Sequence, residues 1–248
     1  MFYLFSTAFV FLSLFVVIQL NAPDPMIPFR LFKNRYLLIA NICGLLMGGI
    51  LIGLTAYLPL WVQGVLLLAA TSSGLTLIPM SLGWPLGAYL SGQFIVRLGT
   101  KPISLAGVSL IALGTLALTF ITSGTPNVLL IIIMFFVGLG FGLAMTVFTV
   151  IVQSSVTWDN RGTAASTNAF LRTLGQTLGI TVLGAILNQH IGGRTNNGTH
   201  VEPDILAAGL QSVFMILFIL ALLCVITTSL LPQKQLEFGE KSSTKEAL

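Results

Sequence analysis

Long apolar runs alternate with short polar breaks along this chain. Residues 1–23, 36–96, 102–158, 173–193 and 205–233 carry no charge. A helix that crosses a bilayer needs about 20 consecutive apolar residues. The runs 36–96 and 102–158 are each long enough for two such helices. Each also holds a break rich in turn residues: Pro59 through Ser72-Ser73-Gly74, and Ser123-Gly124-Thr125-Pro126-Asn127. The pattern predicts seven spanning helices, over about 2–20, 36–60, 74–96, 102–122, 127–151, 163–189 and 209–231. The first run has neither a cationic leader nor a small-residue cleavage site, so it reads as a spanning helix and not a signal peptide. The expected fold class is an all-α integral membrane protein.

Composition agrees. Of 248 residues, 55% are hydrophobic and 7% charged, and the mean hydropathy is +0.98. A soluble domain carries about 25% charged residues, so the lipid bilayer is the expected surrounding. The net charge of +4 is not gathered into a patch, which argues against a nucleic-acid partner. The cations sit at segment ends. Arg30, Lys33, Arg35, Arg97, Lys101, Arg161, Arg172, Lys234, Lys241 and Lys245 fall on one side of the seven-span arrangement, and Arg194 on the other. The positive-inside rule makes the richer side and the C-terminus cytoplasmic, with the N-terminus outside.

All seven acidic residues lie in loops or the tail, and no carboxylate, lysine or histidine occupies the middle of a span. Schiff-base photochemistry and acid-based intramembrane proteolysis are therefore excluded. No nucleophile–base pair or metal-ligand set stands out, so the chain is read as a non-enzyme without metal or cofactor. Cys43 and Cys224 lie inside apolar runs and read as packing residues, not a disulfide framework. His190 and His200 fall on the expected external loop and read as solvated. Asn197-Gly198-Thr199 there matches a glycosylation sequon, a match too short to carry weight.

Small residues recur at packing intervals: Gly44, Gly48, Gly49 and Gly53; Gly83, Gly87 and Ser91; Gly175 and Gly179. Such spacing lets helix backbones approach closely in lipid. Gly138-Leu139-Gly140-Phe141-Gly142 follows no strand and is not a dinucleotide fingerprint.

The sixth span is the most polar. Asn168, Arg172 and Gln176 share one face with Gly175 and Gly179. An unpaired Arg in lipid costs about 2.5–3.5 kcal/mol or more, so this stripe faces protein or water. Two readings stay open: the wall of a substrate pathway, or a helix end in the headgroup region with Arg172 reaching to phosphates. In the second span Asn41, Gly48 and Thr55 share a face, and Asn41, Thr55 and Tyr57 are pathway candidates, while Tyr57 and Trp61 also suit the outer interface. Gln63 is a pathway or a capping residue. The stretch GQFIVRLGTK places Gly92, Arg97, Gly99 and Lys101 around a short turn between the third and fourth spans. There Gly92 would permit a close helix approach and Gly99 a tight turn.

Read in order, LFKNRYLLIANICGLLMGG, YLPLWVQ, GLTLIPMSLG, GQFIVRLGTK and RGTAASTNAFLRTLGQTLGITVLGAIL resemble the C-terminal half of a major facilitator superfamily exporter, in particular the fourteen-span drug:proton antiporters of the EmrB/QacA type. The resemblance implies a division into one helix (1–20, the last of a central extra pair), a basic cytoplasmic linker (21–35), a six-helix bundle of inverted three-helix repeats (36–232) and a cytoplasmic tail (233–248). It implies a second and fifth span lining a midplane cavity, and a third and sixth at the interface between bundles. It further implies export of hydrophobic, often cationic, compounds driven by the proton-motive force, and an N-terminal transporter half as partner. On that view the chain is a truncated product, a misplaced start or one piece of a split transporter. The alternative is a non-transporting membrane partner of an intact permease. GQFIVRLGTK resembles the family's loop motif Gly-x-x-x-Asp-Arg-x-Gly-x-Lys, with Val96 where the motif has Asp.

Overall fold

A computed structural model describes residues 34–191 and 202–232. The expected first span, most of the basic linker, the loop with Arg194, Asn197 and His200, and the tail lie outside the described residues. Six α-helices follow one another: α1 (Arg35–Gly64), α2 (Ala70–Leu98), α3 (Thr100–Thr119), α4 (Asn127–Ser154), α5 (Arg161–Ile191) and α6 (Pro203–Ser229). They match the six spans expected from residue 36 onward, with ends shifted by a few residues. α1 runs unbroken through Pro59 and stops at Gly64. Pro126 precedes α4, as the expected break requires.

Five of the six helices are long and apolar enough to cross a membrane; α2 has the length but not the composition. Its pattern explains why. Ser73, Thr76, Gly83, Gly87 and Ser91 are buried, while Leu75, Ile78 and Leu82 are at least half exposed. In water this helix would be inside out. In a bilayer, where lipid tails are as apolar as leucine, small residues face protein and large ones face lipid. α5 repeats the arrangement, burying Ala164, Thr167 and Gly175 and exposing Phe170, Leu178 and Val182. The protein is a multi-pass membrane protein.

The packing has a near two-fold pattern. The most extensive helix pairs are α2 with α4 and α1 with α5, followed by α3 with α4, α3 with α6 and α1 with α6. Exchanging the first three helices for the last three turns this set into itself, as inverted three-helix repeats require. Individual residues obey the same exchange. Gly83 and Gly87 on α2 fit against the backbone at Phe135 and Leu139 of α4; Gly175 and Gly179 on α5 fit against Leu45 and Gly49 of α1. In return, Gly138 receives the Met80 carbonyl and Gly48 the Arg172 carbonyl. A Cβ at these glycines would collide with backbone, which explains their spacing. Gly140, between Gly138 and Gly142, turns the other way onto Gly107 of α3.

Polar ties hold the helix ends. The Asn34 side chain caps α1 by accepting from the Tyr36 amide, and its Nδ2 donates to the Ser155 carbonyl. At the opposite end Gln63 Nε2 donates to Ser73 Oγ, joining α1 to α2, and Gln211 Nε2 donates to the Ile121 carbonyl.

Candidate functional site

The polar stripe on α5 is positioned by the α1–α5 crossing. Gly44 leaves room for the Asn168 side chain, whose Nδ2 donates to Asn41 Oδ1 at 3.0 Å and to the Ala40 carbonyl at 3.3 Å. Asn41 is buried, so this pair satisfies a polar group that would otherwise be costly in the apolar interior. With both amide hydrogens used, Asn168 keeps its carbonyl oxygen as an acceptor.

One turn along, Arg172 is half-buried, and its backbone carbonyl lies against Gly48. Gly48 sits near the middle of the 30-residue α1, about 20 Å from its start at 1.5 Å per residue. The Arg172 backbone is therefore at mid-helix depth, not at a helix end. Helical side chains lean toward the N-terminus of their own helix, which directs the guanidinium toward the end where α5 begins. There it lines a cleft of about 170 Å3 with Thr149 and Val152 of α4 and Ala165, Asn168 and Ala169 of α5. The Thr149 hydroxyl donates to the Met145 carbonyl at 2.8 Å, leaving its lone pairs as acceptors. Gln176 is half-buried one further turn along α5.

The described carboxylates are Asp159, Glu202 and Asp204, all at helix ends or in loops. No described acid lies at the depth of the cleft.

The other predicted residues are placed elsewhere. Thr55 is exposed and donates to its own helix at the Leu51 carbonyl, 2.9 Å away. Tyr57 is buried, with its hydroxyl donating to the Ile180 carbonyl at 3.3 Å, and so fastens α1 to α5. Trp61 is fully buried against Phe214, with ring centroids 5.9 Å apart. The expectation that Tyr57 and Trp61 sit at the outer interface is thus corrected: both rings belong to the core. Gln63 lies at the far end of the bundle from the cleft, in the α1–α2 tie.

At the α2–α3 turn, Gly99 ends one helix and caps the next with φ 83°, a conformation that favours glycine. Gly92 faces open space, so no close approach within the bundle depends on it. Arg97 occupies the last turn of α2, where the helix dipole favours a cation, whereas Lys101 stands in the first turn of α3, where it does not. Lys101 is thus placed against local helix energetics.

Thr149 and Val152 escaped the sequence reading, although Thr146, Thr149 and Gln153 fall at i, i+3 and i+7 on one face of α4 and could have pointed to Thr149. Cys43 and Cys224 are free and buried, and Cys43 Sγ lies 3.4 Å from Thr228 Oγ1, a packing role as expected.

Comparison with known proteins adds a lineage to this geometry. The profile of the Major Facilitator Superfamily matches residues 1–180. The multidrug transporter protein MdtP of Bacillus subtilis is 32% identical over 189 residues, covering 76% of this chain and 35% of the relative. Multidrug resistance protein 3 of the same organism is 35% identical over 183 residues, covering 74% and 36% respectively. The chain thus spans about a third of the length of these relatives. A tetracycline resistance determinant of Streptomyces rimosus is 28% identical over 186 residues, 74% of this chain and 54% of that protein. In fold, the chain is similar to the xylose transporter XylE of E. coli in a partially occluded inward-open conformation. The TM-score is 0.63 at 19% identity, covering 80% of this chain and 50% of that one.

Proposed function

The chain belongs to the Major Facilitator Superfamily, and on that premise we propose that it forms the C-terminal six-helix bundle of a proton-coupled multidrug efflux permease of the fourteen-span branch. It is a transporter chain and not an enzyme. It works against a second bundle, and the polar face of α5 is one wall of the pathway between them. The substrates are hydrophobic small molecules, exported across the cytoplasmic membrane.

The observation that carries this reading is the cleft at Arg172. An arginine whose backbone sits at mid-helix depth and whose guanidinium lines a cleft, beside an asparagine pinned to a buried partner, suits a water-filled route better than lipid. The names of the relatives, two multidrug proteins and a resistance determinant, support efflux as the direction. The described cations Arg35, Arg97, Lys101 and Arg161 lie where α1, α2, α3 and α5 meet one end of the bundle, which supports placing that end in the cytoplasm.

Cysteine accessibility tests the pathway. In a chain with Cys43→Ala and Cys224→Ala, single cysteines at Asn168 and Gln176 should react with a membrane-impermeant thiol reagent applied from the basic side. Cysteines at Leu113 and Ile219, exposed apolar positions on α3 and α6, should not. Equal protection at all four positions would remove α5 from the pathway.

A further inference from the structure

Met80 and Arg172 occupy equivalent places in the two halves of the bundle. Each presents its backbone carbonyl to a glycine of the partner helix, Gly138 for Met80 and Gly48 for Arg172. On the α2–α4 side the position holds a buried apolar side chain. One turn further, Trp84 stacks on Phe141 with centroids 5.4 Å apart. The crossing therefore folds and packs without a charge, and the guanidinium of Arg172 answers no demand of the helix pair.

The cleft itself indicates what the charge is for. Its walls supply one strong donor group, the five N–H bonds of the guanidinium, and no anion. The Asn168 amide hydrogens are spent on Asn41 and Ala40, and the Thr149 hydrogen on Met145. Val152, Ala165 and Ala169 add a small apolar wall. The volume, about 170 Å3, is close to that of an apolar cavity of about 150 Å3 known to admit a benzene ring. A planar guanidinium matches a carboxylate or similar oxyanion through two parallel hydrogen bonds, and it repels a cation.

From this we infer that the cleft at Arg172 is a subsite for an acidic group, a carboxylate or comparable oxyanion, carried by an otherwise apolar molecule. The inference rests on the pathway reading and narrows it: at this point of the route the chain selects hydrophobic anions over the hydrophobic cations that the family resemblance leads one to expect. The oxyanion can arrive on a transported compound or as the phosphate of an anionic lipid.

The test uses two fluorescent probes of one shape and opposite charge, 9-anthracenecarboxylate and 9-(aminomethyl)anthracene. They are titrated against the full chain in phosphatidylcholine nanodiscs. The carboxylate should bind saturably, with an affinity at least about tenfold weaker in Arg172→Gln, the loss of one charge-assisted pair. Arg172→Lys should fall between, since it keeps the charge but not the fork. The ammonium probe should show no saturable binding that depends on Arg172. Unchanged melting temperatures in both variants separate loss of the site from loss of the fold. Equal carboxylate binding by wild type and Arg172→Gln, or equal binding of both probes, would overturn the inference. In nanodiscs rich in phosphatidylglycerol, competition against the carboxylate probe assigns the oxyanion to lipid, and its absence assigns it to a soluble compound; either result presupposes the site. If position 176 is water-accessible while probe charge makes no difference, the anion subsite fails and the pathway stands. If position 176 is inaccessible, the pathway itself fails.

Discussion

At the scale of single residues, an indole, a glycine and a guanidinium each settle a different question. Trp61 is completely buried, yet its Nε1 is an unpaired donor among the described residues. A buried donor without an acceptor is a cost, and removing it can be neutral or better. Trp61→Phe should therefore change stability by less than about 1 kcal/mol, whereas Trp61→Ala should cost about 3–5 kcal/mol through the cavity it leaves. Unfolding of the purified chain in mixed micelles would measure both. Tyr57 and Trp61 also mark where sequence reasoning went astray. An amphipathic aromatic near the end of a span suits either the headgroup belt or a core against a neighbouring helix, and only the neighbour decides. Here Phe214 and the Ile180 carbonyl decide it. Arg172 was visible as an anomaly in an apolar helix. Its depth was not visible, because depth depends on which residue of α1 lies opposite.

At the scale of helices, the small residues separate into two kinds that look alike in sequence. Gly48 and Gly175 pack directly on the partner's backbone, while Gly92 has no neighbour within 4 Å of a Cβ built there. Gly48→Ala and Gly175→Ala should each destabilise the α1–α5 pair by several kcal/mol or prevent assembly, since backbone carbonyls cannot step aside as flexible side chains can. Gly92→Ala should be neutral or slightly stabilising in the isolated chain, as expected for an exposed helical glycine. Heat-induced aggregation followed by fluorescence-detected chromatography would rank the three. If Gly92→Ala proves as damaging as Gly48→Ala, the packing described for α2 is wrong. The elements themselves were legible from charge-free stretches, because a bilayer imposes a minimum helix length and tolerates charge only near its faces. α2 was legible by its bounds and not by its apolarity, since Gly83 and Gly87 pack on α4 while Leu75, Ile78 and Leu82 are exposed. Of the candidate site, the α5 stripe could be read from its period of 3.6. Of the α4 residues that complete the cleft, Thr149 had a signal in its spacing with Thr146 and Gln153, while nothing in its run distinguishes Val152.

At the scale of the whole molecule, the six helices pack as two exchanged triplets, the arrangement of one bundle of a two-bundle transporter. At Arg172 the polar face of α5 borders the cleft it shares with Thr149 and Val152 of α4, which suits a wall shared with a second bundle. The relation of the two triplets also gives the polar stripe its meaning. Equivalent crossings carry Met80 on one side and Arg172 on the other, so the charge is an addition to the repeat and not part of its construction. The measurement that bears most directly on the account is transport by the chain together with a separately encoded N-terminal bundle, taken from a relative such as MdtP, in everted membrane vesicles. The account predicts accumulation of a hydrophobic fluorescent substrate that requires both pieces, collapses with an uncoupler, and is lost in Asn168→Leu or Gln176→Leu while the two pieces still co-purify. Equal accumulation by the chain alone, or none by the co-purifying pair, would contradict it.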